Sequence, residues 1–184
     1  MISVAVFCGA KKGINPLYQQ VARELMQVFH FNNWRLVYGG AHIGLMGIMA
    51  DELMELGGEV LGVIPEKIMD LELGHQGITE LIKVPDMHTR KKVMYENAHA
   101  FVIFPGGIGT MDEFFEILTW KQLKDHSKPI AILNINHYYD PLLQWFDLAV
   151  REGFYTSGDR ELFTVFHSLK EWSEAWGEAW KKKN

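Results

Sequence analysis

The sequence predicts an α/β fold in which a doubly wound parallel sheet carries helices on both faces, built by a single domain spanning residues 1–184. Short, almost wholly apolar runs of strand length alternate with stretches of helical length. The runs are rich in β-branched residues, which suits strands buried on both faces. Glycine-rich breaks follow three of them. A chain of 184 residues, 48% of them hydrophobic, also has the apolar surface for one sizeable core.

The first run, Ile2–Phe7, ends in the break Cys8-Gly9-Ala10-Lys11-Lys12-Gly13, and a helical pattern covers Pro16–Phe31. Arg35–Tyr38 is the second strand, followed by Gly39-Gly40-Ala41-His42-Ile43-Gly44 and a helix over Leu45–Leu56. Val60–Ile64 is the third. The stretch from Pro65 to Pro85, with Gly74, Gly77 and its two prolines, is the least regular and yields one short strand near Leu81–Val84. A helix over Met87–Asn97, with Asp86 as its N-cap, leads to the strand Phe101–Phe104 and the break Pro105-Gly106-Gly107-Ile108-Gly109. Met111–Leu123 is helical, Ile130–Leu133 a strand and Tyr139–Glu152 a helix. The C-terminal helix repeats Trp172, Trp176 and Trp180 at i, i+4 and i+8 ahead of the basic end Lys181–Lys183, an aromatic stripe that reads as docking onto the domain or onto a partner subunit. The order β-α-β-α is that of a Rossmann-like sheet, whose ligand crevice forms from loops at the carboxyl ends of strands.

Composition narrows the function. Lys+Arg number 18 against 23 Asp+Glu, a net charge of −5 with pI near 5.9, so no global positive field exists for nucleic acid. A small anion held by local dipoles is compatible with this charge. The single cysteine, Cys8, excludes an intrachain disulfide, and no Cys/His cluster has zinc-ligand spacing, so no metal is expected. No basic leader and no long apolar run is present, which reads as a cytoplasmic protein without membrane association.

Two motifs carry chemistry. In Phe104-Pro105-Gly106-Gly107-Ile108-Gly109-Thr110-Met111-Asp112-Glu113 a buried strand ends in glycines where a helix begins. Main-chain N–H groups there can converge on a phosphate, helped by the positive end of the helix dipole. The spacing matches neither the dinucleotide fingerprint nor the Walker pattern. Glu113 stands three residues after Thr110, the spacing of a capping box, and shares one helical face with Glu116 and Trp120. Spacing alone leaves capping and sugar chemistry both open for Glu113. The second motif, Pro85-Asp86-Met87-His88-Thr89-Arg90-Lys91-Lys92, sets cations in the first turns of a helix, where they oppose the dipole unless an anion binds nearby. Arg90 can hold two oxygens at once; Lys91 and Lys92 read equally as a solvated patch.

The pairing of Met87-His88-Thr89-Arg90-Lys91 with Pro105-Gly106-Gly107-Ile108-Gly109-Thr110-Met111-Asp112-Glu113 resembles the Lonely Guy family, cytokinin riboside 5′-monophosphate phosphoribohydrolases long mislabelled as lysine decarboxylases. Tyr38-Gly39-Gly40, Gly44-Leu45-Met46-Gly47, Glu72-Leu73-Gly74-His75 and Thr119-Trp120-Lys121-Gln122-Leu123 extend the resemblance over most of the first 140 residues. It implies cofactor-free hydrolysis of the N-glycosidic bond of AMP or its N6-prenylated forms to free base and ribose 5-phosphate, by a homodimer. That the tryptophan-bearing tail contributes to the dimer contact is a separate expectation, drawn from the aromatic stripe. It makes Arg90 and Glu113 the catalytic pair, and places Lys91, Gly106, Gly107, Gly109 and Thr110 around the phosphoribosyl group with Glu72 as a further substrate contact. The alternative is a non-catalytic nucleotide or cofactor carrier of similar fold. Two loops depart from the family pattern: this chain has Gly9-Ala10-Lys11-Lys12 in the first loop, where similar proteins read Cys-Gly-Ser-Ser, and Gly39-Gly40-Ala41 in the second, where they have three glycines.

Overall fold

The apolar runs become strands because each has two faces to bury. In the computed structural model, which describes residues 1–72 and 74–181 and the side chains of all these except 70–72 and 178–181, seven strands form one parallel sheet. They are β1 (Ile2–Phe7), β2 (Trp34–Tyr38), β3 (Val60–Pro65), β4 (Glu80–Val84), β5 (Ala100–Ile103), β6 (Ile130–Leu133) and β7 (Thr164–Phe166). The helices are α1 (Leu17–Phe31), α2 (Gly44–Glu55), α3 (Glu66–Glu72), α4 (Met87–Glu96), α5 (Ile108–Gln122), α6 (Asp140–Arg151), α7 (Ser157–Arg160) and α8 (Leu169–Lys181).

The strand order is β4-β3-β2-β1-β5-β6-β7. The chain winds outward from β1 to β4, then crosses back to β5 on the other side of β1, with Phe7 in register with Ile103. Beyond the carboxyl ends of β1 and β5 the order reverses, and such a reversal opens a crevice. Successive residues alternate faces. Val4 and Val6 of β1 join the core under α1, α2 and α8, while Ala5 and Phe7 join the core under α4, α5 and α6.

Among the described residues the structure adds four elements that periodicity does not reveal, one of them a single 3₁₀ turn at Ile135–His137. Helix α3 occupies the stretch read as irregular, while α7 and β7, four and three residues long, are too short for a period to register. Helix α7 does carry a local signal, a capping box in which Thr156 and Asp159 bond each other's main chain. Helix α5 begins at Ile108, one turn earlier than Met111.

The tail helix docks on its own chain. Trp172 is fully buried, its ring 5.7 Å from Trp34 and 6.3 Å from Phe29, and Trp176 packs beside it. Both indoles are therefore occupied within the subunit, and the expected contribution of this stripe to a partner contact is corrected for them. The side chain of Trp180 and residues 182–184 lie outside the described residues. Replacing Trp172 by Ala leaves a large void under α8, and urea unfolding should show a loss of about 3–5 kcal/mol. A loss under about 1 kcal/mol would mean that α8 is not part of the cooperative core.

Candidate functional site

A cleft of about 520 Å³ opens above the carboxyl ends of β1 and β5. Its walls come from all three glycine breaks and from the loop after β6. The breaks meet at main-chain distances: the Gly9 amide donates to the Pro105 carbonyl at 3.1 Å, and the Leu45 amide to the Gly9 carbonyl at 3.1 Å. A Cβ on Gly44, which sits at φ +66°, would overlap the Ala10 main chain, and one on Gly106 would overlap the Thr110 hydroxyl. Glycine is needed at both for the loops to close on one another.

The third break leads into α5 without a side-chain cap. Gly107 is the N-cap, its extended conformation ends the loop, and the first helical bond runs from the Met111 amide to the Gly107 carbonyl. The amides of Ile108, Gly109 and Thr110 thus start the helix outside its hydrogen-bond ladder. An added Cβ at Gly107 or Gly109 would meet nothing within 4 Å, so what these glycines preserve is open space beside the amides. Thr110 is the third helical residue and Glu113 the sixth, so the capping-box reading of this pair does not hold. One extra turn moves Glu113 from the helix tip to the wall of the cleft, where it is 8% exposed.

Arg90 reaches the same cleft from α4, whose start is capped as expected by Asp86 accepting from the Thr89 amide at 2.8 Å. The guanidinium is buried. Its Nε donates to the Val63 carbonyl at 3.0 Å and a terminal nitrogen donates to the Gly39 carbonyl at 2.8 Å. A Cβ on Gly39 would overlap that nitrogen, so glycine at the end of β2 is what admits the arginine. Two donors are spent on fixing the fork, and the second terminal nitrogen lies 3.7 Å from the Met87 sulfur, a weak acceptor that a ligand oxygen can displace.

The expected site residues separate into groups. Arg90, Glu113, Gly106, Gly107, Gly109 and Thr110 all line the cleft. Lys91 does not. Its ammonium is bound to Glu116 and, at 3.1 Å, to Asp112, on the side of α5 away from the cleft. Burial draws its pKa down, but the Glu116 and Asp112 carboxylates outweigh burial and leave it raised. Glu72 closes α3, and its side chain lies outside the described residues.

Cys8, Lys11, Tyr18 and Tyr138 also line the cleft; of these the sequence marks only Lys11, as a departure from the family pattern in the first loop. Tyr138 follows a turn in which Asn136 and His137 adopt left-handed conformations, and its hydroxyl donates to the Gly106 carbonyl at 2.6 Å. The strand-end rule offered a signal for it, since the loop after β6 is another carboxyl-end loop.

Among the described residues one group, His42, Asp51 and His75, has ligand atoms close enough to hold a metal. The protons argue against it. His75 Nδ1 accepts from the Gly77 amide at 3.1 Å, so Nε2 carries the proton and donates to Asp51 at 2.9 Å. A metal on Nε2 would need Nδ1 to donate instead, toward another donor. Together with the bond from the His75 amide to the Gly40 carbonyl at 2.9 Å, the group is a staple holding the segment after α3 against the second glycine break.

With the site in view, the comparisons with known proteins are specific. A family model described as "Possible lysine decarboxylase" matches residues 46–175. A cytokinin riboside 5′-monophosphate phosphoribohydrolase of Rhodococcoides fascians is 48% identical over 169 residues, 91% of this chain and 85% of that protein. A protein of the same name from Arabidopsis thaliana is 41% identical over 168 residues, 91% of this chain and 74% of its own length. Among solved structures, the molybdenum cofactor carrier protein of Chlamydomonas reinhardtii matches with a TM-score of 0.71 at 21% identity, covering 96% of each chain, a likeness of fold alone.

Burial at the cleft floor makes a pH prediction. Burial, reinforced by the Glu113 charge and only partly offset by Arg90, holds the Cys8 thiol far above its ordinary 9.0. The folded chain thus keeps a proton that the unfolded chain releases, so this contribution is present below pH 9 and declines as pH rises further. Urea unfolding at pH 8 and pH 10 should show this group removing about 1.4 kcal/mol of stability between the two, and a smaller fall in Cys8→Ala. Equal slopes for the two proteins would contradict the assignment.

Proposed function

Because this chain belongs to the family of cytokinin riboside 5′-monophosphate phosphoribohydrolases, we propose that it hydrolyses the N-glycosidic bond of an adenine-type nucleoside 5′-monophosphate, AMP or N6-prenylated AMP. The observation that carries the reading is that the Glu113 acid and the fixed Arg90 guanidinium share one cleft with the uncapped start of α5. A cleft of about 520 Å³ is also within the range that takes a small ligand. The family model's description suggests other chemistry, but the relatives at 48% and 41% identity are named for nucleotide hydrolysis.

In this reading the 5′-phosphate lies against the free amides of Ile108, Gly109 and Thr110. The oxygen of water bonds to C1′ of the ribose while the C1′–N9 bond breaks and its electron pair leaves with the base. One proton of the water ends on adenine and the other stays on the new hydroxyl, giving free base and ribose 5-phosphate. The sugar becomes cation-like on the way, and a carboxylate held beside it lowers that barrier or draws the water's proton. Glu113 is that carboxylate. Arg90 steadies negative charge on the substrate, and phosphate binding orients the reacting carbon.

The finer setting is a cytoplasmic homodimer acting in cytokinin biosynthesis. Supporting it are the buried free thiol of Cys8 and the exposed apolar side chains Ile108, Trp145 and Phe154, which leave surface for a second copy to cover. Among the described residues no helix is long and apolar enough to cross a membrane. A solution mass of 21.2 kDa, that of a single chain, would remove the dimer and leave the hydrolase reading standing.

Incubation with AMP, followed by chromatography for adenine, separates a hydrolase from a carrier that binds the nucleotide and leaves it intact. Glu113→Gln and Arg90→Lys should each lower turnover by about 10²–10⁴-fold while the protein stays folded, with a lower unfolding midpoint only in Arg90→Lys, which gives up a buried bond to Val63 or Gly39. Adenine release near the wild-type rate by either variant would take that residue out of the mechanism.

A further inference from the structure

We propose that Lys11 is the mobile cation that grips the substrate's 5′-phosphate. The proposal takes from the nucleotide reading only the identity of the molecule that owns the phosphate. Lys11 lies ahead of the stretch matched by the family model, in a loop where resemblance would put hydroxyls.

Charge inside the cleft leads to this residue. Among its described lining residues the cationic side chains are Arg90 and Lys11. Arg90 is tied to two carbonyls, and its charge is set against Glu113 on the same walls. Lys91, the lysine that the motif offers, is neutralised elsewhere by Asp112 and Glu116. A phosphomonoester dianion brings nearly two negative charges, which the α5 dipole, equivalent to about half a unit, cannot balance alone. Lys11 has no ion-pair partner among the described residues, so it supplies the missing positive charge.

Its root is rigid and its tip is free. The Gly9 carbonyl accepts from Leu45, the Gly9 amide is bound to Pro105, and the Ala10 main chain is packed against Gly44 with no room for a Cβ. A Cβ built on Gly9 would stand 3.4 Å from Gly106 Cα, so the loop bearing Lys11 touches the loop that leads into α5. From an exposed position on that loop, four methylenes can carry the ammonium to an anion at the start of the helix. Lys12 is adjacent in sequence but does not line the cleft, which makes it the matched control.

The test is calorimetric binding of AMP, ribose 5-phosphate and adenosine to the wild type, Lys11→Met, Lys11→Arg and Lys12→Met, with KM and kcat measured alongside. Lys11→Met should weaken AMP and ribose 5-phosphate by about 10–100-fold, the effect of one charge-assisted hydrogen bond, and leave adenosine unchanged. Lys11→Arg should keep most of the affinity, Lys12→Met should stay within about twofold, and the Lys11→Met loss should appear in KM rather than kcat. Unchanged AMP binding by Lys11→Met, or an equal loss in Lys12→Met, overturns the proposal, as does a wild type that binds no AMP. A wild type that binds AMP through Lys11 and releases no adenine upholds it while removing the hydrolase reading.

Discussion

The close approach of the Arg90 guanidinium to the main chain at the end of β2 governs the site. Gly39 has no Cβ, and the space a Cβ would fill holds the Arg90 guanidinium. A buried charge of this kind is costly unless hydrogen-bonded. Here the carbonyls of Gly39 and Val63, from the ends of two neighbouring strands, offset that cost. The same economy of side chains recurs where Gly44 meets Ala10 and where Gly106 meets Thr110. Three strand ends can therefore converge on one point, and the cleft is the space left between them. Its shape belongs to the rigid sheet, which suits a site that must hold reacting groups in register.

Electrostatics divides the cations by role. Arg90 is immobile, with its orientation settled before any ligand arrives, and preorganised charge of this sort costs no rearrangement during a reaction. Lys91, its neighbour in sequence, points to the other side of α4 and joins Asp112 and Glu116 of α5. Asp112 is in turn the neighbour of Glu113. The pair Lys91–Asp112 consequently pins together the two helices that present Arg90 and Glu113. A lysine that its motif offers as a ligand contact is instead paired between the two helices, next to the residues that each brings to the cleft.

Much of this was legible in the sequence. The five buried runs and the helices between them follow from period and glycine punctuation, and the convergence of Gly106, Gly107, Gly109, Thr110, Arg90 and Glu113 on one cleft agrees with the expectation from the paired motifs. What escaped depends on contacts between distant segments. Nothing near Lys91 in the chain announces Asp112 and Glu116, and nothing near Trp172 announces Trp34 and Phe29. Lys11 was visible as a departure in the first loop, but its place in the cleft needs the Gly9–Pro105 bond that draws this loop against the third. Tyr138 follows left-handed turns at Asn136 and His137, residue types enriched in that region, but its bond to Gly106 joins segments 32 residues apart that no local signal connects.

The start of α5 shows how a small boundary error changes chemistry. Thr110 and Glu113 have capping-box spacing, and had the helix begun just after Thr110 the carboxylate would have been turned back toward its own main chain. The preceding glycines let the helix begin at Ile108, because an unbranched, Cβ-free N-cap at Gly107 turns the chain without supplying a side-chain acceptor. Two consequences follow from that one turn. Glu113 advances to the cleft wall, and the leading amides keep their donors for something other than protein. A side-chain cap at residue 107 would stabilise the helix by a few tenths of a kcal/mol over glycine, and it would fill the space beside those amides. The loss of that stabilisation is thus the condition under which an anion can take the place of the cap.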